Sequence, residues 1–248
     1  MQKPTYNIDK IKFATDKPTY ERAIQLYESG KVTEFSEGIG SYSAVVLSTK
    51  PYNVSVEARR YGLGNCNCYL GQRDTLCKHM VAVSIYAVLN GKKLKKEDKE
   101  IITNPKCSGN YGELEKDELS AVKQSITSAM KYIKPYNGPS KIWFAYQDSL
   151  IEGVNRLSSI VSKLPVSEQT AELIIKLLLR LDKKLCTGGV DDSDGTVGGF
   201  ITEAVDVLQE YAQMDDLCIN AFEDLCGAKT CFDWEDPLIK IADEGFED

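Results

Sequence analysis

The hydrophobic period changes along the chain, and each period predicts a different kind of element. Over residues 19–29, Tyr20, Ala23, Ile24 and Tyr27 recur at helical spacing and Gly30 supplies a stop, which predicts a short helix. The pattern then alternates. Residues 32–39 and 42–48 predict strands separated by Gly40 and Ser41, and in a third run Tyr52, Val54, Val56 and Ala58 alternate with Asn53, Ser55 and Glu57. Alternation of this kind gives a sheet one apolar face, so the three runs predict a small antiparallel β-meander with one side buried. Tyr61-Gly62-Leu63-Gly64 follows, with glycines free to turn tightly. Beyond His79 the run MVAVSIYAVLN is apolar at spacings that fit a buried helix, closed by Asn90-Gly91 in the manner of a C-terminal cap.

Residues 92–113, KKLKKEDKEIITNPKCSGNYGE, are polar and punctuated by Pro105, Gly109 and Gly112, which predicts a linker. The remainder is helical in pattern. Leu119, Val122, Ile126, Ala129 and Ile133 share one face; so do Leu150, Val154, Leu157, Val161 and Leu164, and then Ile174, Leu178, Leu181 and Leu185. Pro165-Val166-Ser167 separates two of these helices, with Ser167 placed to cap the second. Phe200, Ala204, Leu208 and Tyr211 predict a further helix, and a shorter one ends near Gly227. The expected class is therefore α+β: an α+β module over residues 1–91, a linker over 92–113, and a mainly α-helical domain over 114–248, built as a bundle or helical stack.

Composition adds limits to this picture. A chain of 248 residues with 42% hydrophobic residues can bury an ordinary core without covalent staples. The opening MQKPTYNIDKIKF lacks an apolar region of signal-peptide length, and no apolar stretch reaches the roughly 18 residues a membrane helix needs. A cytoplasmic protein with no membrane partner is the expectation. In a reducing compartment eight cysteines point to metal binding before disulfides. The net charge of −7 divides unevenly, at +5 over residues 1–100 and −12 over residues 101–248. Such a split suggests two modules with different surfaces, the first able to meet an anionic partner, although solvated charged faces give the same totals.

The chemistry concentrates in residues 65–80, NCNCYLGQRDTLCKHM, which contain the chain's one histidine. Cys66, Cys68, Cys77 and His79 form the pattern CxCx8CxH. Three thiolates and one imidazole make a complete tetrahedral set for zinc, with bonds of about 2.3 Å to sulfur and about 2.0 Å to nitrogen. A CxC pair at a strand end and a CxH pair at a helix start would clamp one ion between sheet and helix. Two other readings of these residues are simple burial in a core and a redox pair, though CxC is not the CxxC of dithiol motifs and no βαβ pattern surrounds it.

With its preceding strands and following apolar helix, the pattern resembles the SWIM-type zinc finger, whose ligands are spaced CxC, spacer, CxH on a ββα framework. The resemblance covers residues 38–90, and Leu76 stands where that family often has a proline before its third ligand. It implies Cys66, Cys68, Cys77 and His79 as ligands of one structural zinc ion per chain, and a module that binds DNA or protein. A four-ligand shell leaves no open position for catalysis, and it consumes the single histidine. The expected function is a non-catalytic interaction protein with a protein partner. The alternative is DNA or RNA binding through the basic module, where Arg59, Arg60, Arg73 and Lys78 would contact phosphates and Tyr61 and Tyr69 would stack on bases.

Further stretches carry weaker signals. The run GGVDDSDGTVGG resembles part of a calcium loop, but its first and twelfth positions fall on Val190 and Ile201, so it reads as an acidic connection that caps the next helix. An enzyme using Asp191, Asp192 and Asp194 is the remaining functional alternative. Cys186, Cys218, Cys226 and Cys231 lack metal-site spacing and are expected as buried free thiols. Trp143-Phe144 and Trp234 are expected to anchor helix packing, with an exposed Trp234 as a partner's anchor in the other case.

Overall fold

The computed structural model describes residues 3–245. The fold is α+β, and the chain forms two compact units that divide between Ile101 and Ile102.

The first unit begins with two helices, α1 (Ile8–Phe13) and α2 (Lys17–Glu28). Asn7 and Asp16 cap them by accepting the amides of Lys10 and Thr19, and Pro18 sits in the first turn of α2, where its missing amide hydrogen is not needed. Next come β1 (Val32–Glu37), β2 (Ser41–Leu47), β3 (Pro51–Glu57) and the short β4 (Gly64–Cys66), an antiparallel meander in the order β1-β2-β3-β4. Its inner face carries Tyr42, Ala44, Val46, Val54 and Val56, all buried. The alternating pattern anticipates three of these strands, but β1 is shorter than expected. Glu34 takes a positive φ of 51° at an irregularity in the pairing with β2, and Ile39 lies beyond the strand at the hairpin tip, fully exposed.

Helix α3 (Lys78–Leu89) covers the inner face of the sheet and is itself covered by α1 and α2. A helix buried on both sides must be apolar around its circumference, and residues 79–85 of α3 are all buried. Asn90 ends it in the left-handed conformation, with its amide returning to the Tyr86 carbonyl.

The segment over residues 92–113 is shared between the two units. Tyr27 donates its hydroxyl to the Lys92 carbonyl and Tyr20 to that of Asp98, and Leu94 and Ile101 are buried in the first core around the single-turn α4 (Lys96–Lys99). Past the division, Ser158 holds the Thr103 carbonyl and Asn110 and Gly112 pair with the backbone of Val166, both within the second unit.

The second unit contains α5 (Lys116–Ala129), α6 (Trp143–Val161), α7 (Glu168–Cys186), α8 (Thr196–Met214), a 3-10 helix over Asp216–Leu225, and α9 (Asp236–Gly245). Helix α8 is central, touching α6, α7, α9 and the 3-10 helix. Ser167 caps α7 as its position predicts. Trp234 is buried rather than displayed, while Phe144 is 76% exposed and takes no part in the core.

Leu157 is completely buried on α6. Leu157→Ala is expected to lower the unfolding free energy of the helical unit by about 2–5 kcal/mol, read from its urea transition, and a change under about 1 kcal/mol would contradict this packing.

Candidate metal centre

The four residues of the CxCx8CxH pattern come together from a strand end and a helix start. Cys66 is the last residue of β4, paired opposite Val54 of β3, and the chain stays attached one step further through the Asn67 amide and the Asn53 carbonyl. Cys77 is the N-cap of α3, and His79 lies in its first turn. The intervening loop makes a 3-10 turn at Gly71–Arg73 and reverses at Asp74, whose φ is 55°. Gly71 packs directly against Cys66; a β-carbon there would run into the carbonyl oxygen and Cβ of Cys66. Only glycine lets the loop fold back this closely.

All four side chains are buried, and their donor atoms lie within 4.8 Å of one another. His79 turns Nδ1 toward the sulfurs, 3.7 Å from Cys66 Sγ and 3.9 Å from Cys77 Sγ. An ion held tetrahedrally at about 2.3 Å from sulfur and about 2.0 Å from nitrogen requires donor separations of about 3.5–3.8 Å, which these distances approach. The Tyr52 ring stacks on the imidazole with centroids 4.3 Å apart and holds its plane. Nε2, on the far side, is buried without a hydrogen-bond partner among the described residues. This group can hold a metal ion.

Backbone amides face the sulfurs. The Gly71 amide donates to Cys68 Sγ at 3.3 Å, the Cys68 amide supports Cys66, and the Met80 amide in the first turn of α3 supports Cys77. Amides and a helix N-terminus stabilise thiolates. The thiol hydrogen bond from Cys66, aided by His79 and the Met80 amide and opposed by burial, pulls Cys77 down to about 4. Cys66, which gives that bond from a buried position, is pushed up. Protons are thus divided unequally within the cluster, and a cation among the sulfurs is what would allow all of them to ionise together.

Arg73 and Lys78 lie at the ligand end: the Arg73 guanidinium sits 3.9 Å from the centroid of the Tyr69 ring, and Lys78 lines a cleft of about 220 Å3 with Tyr69 and His79. Arg59 and Arg60 are exposed in the turn that joins β3 to β4, at the other end of that hairpin. Tyr69 is 66% exposed beside the half-exposed Leu70, whereas Tyr61 is buried with its hydroxyl on Thr15, so Tyr61 is not available for stacking.

In the second unit the acidic loop acts as a cap. Asp192 accepts the amides of Val197 and Gly198, both at 2.8 Å, at the start of α8, and Asp194 accepts that of Thr196 at 3.2 Å. Asp191 accepts Trp143 Nε1 at 3.0 Å and is held below the usual carboxylate range, chiefly by the Ser193 hydroxyl. Burial raises Asp192, against the pull of its two amides. Val190 and Ile201, at the calcium-loop positions that would need carboxylates, are buried apolar residues.

The expectation for the later cysteines needs correction. Cys186 and Cys231 form a disulfide across 45 residues, with Cα atoms 5.7 Å apart, and both are exposed; Cys218 is a buried free thiol and Cys226 an exposed one. Spacing could not reveal that pair, because the end of α7 and the segment after the 3-10 helix meet only in the folded unit. The close approach of Gly71 and the stacking of Tyr52 likewise leave no mark in the ligand pattern.

Comparison of the chain with protein-family models, with curated proteins and with solved structures finds no match. Among the described residues, no helix is long and apolar enough to cross a membrane.

Gly71→Ala is expected to weaken metal retention by about 10–100-fold, because it displaces both Cys66 and the amide that supports Cys68. Competition with a colorimetric chelator measures this, and an unchanged affinity would show that the loop does not need this approach.

Proposed function

We propose that Cys66, Cys68, Cys77 and His79 hold one structural zinc ion and that the first unit is a SWIM-type zinc module of a non-catalytic interaction protein. The donor set supports the metal: three thiolates with one imidazole are a customary closed shell for zinc, and four protein ligands leave no position for substrate. When bound, the ion supplies a cross-link between the end of β4 and the start of α3, so its binding energy becomes folding energy of that unit.

One observation carries the interaction reading. The loop between the second and third ligands displays Tyr69 and Leu70 to solvent with Arg73 stacked on the tyrosine. Tyrosine and arginine are, with tryptophan, the side chains enriched at binding hot spots, and a loop anchored at both ends by metal ligands presents them with little entropy left to lose. A protein surface with an apolar recess and an acidic rim is the partner chemistry this tip fits. Nucleic acid is the second reading, favoured by the same exposed Tyr–Arg pair and by the +5 charge of residues 1–100.

Protein purified without chelator is expected to contain one zinc per chain, and Cys66→Ala to contain almost none. Chelation should increase hydrogen exchange over residues 60–90 while the helices of the second unit keep their protection. Zinc-free wild-type protein would end this reading. For the partner, capture from native extract with the full chain is expected to survive nuclease and to be lost with Tyr69→Ala/Arg73→Ala; capture abolished by nuclease would assign the tip to nucleic acid instead.

A further inference from the structure

The second unit holds a group of side chains that the metal module does not explain. Cys186 ends α7, Cys231 lies between the 3-10 helix and α9, and Asp182 sits one helical turn before Cys186. Both cysteines are exposed, yet Asp182 is buried. Its Oδ1 accepts the Cys231 amide at 2.8 Å and Trp234 Nε1 at 3.0 Å, while Oδ2 lies 3.5 Å from Cys186 Sγ. No basic side chain pairs with this carboxylate among the described residues. A buried carboxylate held only by neutral donors, with its free oxygen on a sulfur, is arranged to accept a proton from that sulfur. Beside it, Leu185, Val190, Asp192, Cys231 and Phe232 line an open cleft of about 410 Å3, within the range of small-molecule sites.

We propose that Cys186, Cys231 and Asp182 form a thiol–disulfide exchange centre for low-molecular-weight thiols and disulfides that enter this cleft. In the reducing direction a small thiolate attacks Sγ of Cys231, the cysteine that lines the cleft. The Cys186–Cys231 bond breaks, its electron pair leaves on Cys186 Sγ, and that thiolate takes up a proton from solvent. A second small thiolate attacks the external sulfur of the mixed disulfide and releases Cys231 as a thiolate, which takes a proton from water. Overall two small thiols become one small disulfide, and the protein disulfide becomes a dithiol. In the oxidising direction the Cys231 thiolate attacks a small disulfide and releases one small thiolate; Cys186, its proton passed to Asp182 Oδ2 or water, then attacks Cys231 Sγ and expels the second small thiolate. A bond that only stapled α7 to the following segment would need neither a carboxylate oxygen on Cys186 Sγ nor a cleft lined by Cys231.

The test equilibrates the full chain with mixtures of reduced and oxidised glutathione, followed by alkylation and mass mapping of each cysteine. Cys186 and Cys231 are expected to open and close together in the folded protein. Cys186→Ser should trap a glutathione mixed disulfide at Cys231. Asp182→Asn should change the pH profile for alkylation of reduced Cys186, because it removes both the proton acceptor and the negative charge beside that thiol, with the circular dichroism unchanged. Should Asp182→Asn fail to fold, the trapping by Cys186→Ser decides. A bond that stays closed in excess dithiothreitol while the chain remains folded would overturn the proposal, as would an absent mixed disulfide or a Cys186 reactivity indifferent to Asp182→Asn. A second zinc per chain retained only by the reduced protein would overturn it too, by assigning the same three residues to a metal.

Discussion

A helix that is apolar on every side has to be covered on every side, and in the first unit this requirement organises everything else. Met80, Val81, Ala82, Val83 and Ile85 of α3 are all essentially inaccessible, and burial of each larger side chain contributes about 1.5–3 kcal/mol. One flank of the helix is closed by Tyr42, Val46, Val54 and Val56 of the sheet, the other by Tyr20, Ile24 and Tyr27 of α2. Burying α3 therefore places its N-terminus, and with it Cys77 and His79, at a defined point above the sheet. The pairing of β4 with β3 brings Cys66 and Cys68 to that same point. The ligand group is a consequence of how the hydrophobic layers close, and a bound ion would then fasten the junction that packing has already formed.

Both units meet negative charge with backbone and indole N–H groups. The sulfurs of the ligand group receive amides from the loop and from the first turn of α3. Asp192 receives two amides from the first turn of α8, and Asp182 an amide and an indole. Fixed N–H dipoles cannot move away from the charge and do not have to be desolvated as a mobile ammonium would. The difference lies in what is left over. Asp192 has both oxygens occupied at a helix start and serves as a cap, whereas Asp182 keeps one oxygen on a sulfur that can change its protonation and its bonding.

The metal group and most of the helices were legible in the chain because their signals are local. Cys66, Cys68, Cys77 and His79 fall within 14 consecutive residues, so spacing alone brings them within reach of one ion. Helices α2, α3, α6, α7 and α8 carry apolar stripes long enough to read by period. Elements that carry no stripe were not legible: α1 is six residues long, β4 only three, and both are held by neighbours rather than by pattern. Residues 216–225 show helical period but wind as a 3-10 helix between α8 and α9, where packing against both outweighs local preference.

The sequence by itself determined the α+β class, the one-sided meander, the buried helix after His79 and the composition of the metal group, since each depends on residues a few positions apart. Tertiary structure decided what depends on distant residues meeting. It divided the polar segment at residue 101 between two cores, and buried Tyr61 and Trp234 while leaving Tyr69 in solvent. It also joined Cys186 to Cys231 beside Asp182, a contact across 45 residues that spacing cannot specify because only the packing of α7 against the 3-10 helix and its following segment creates it.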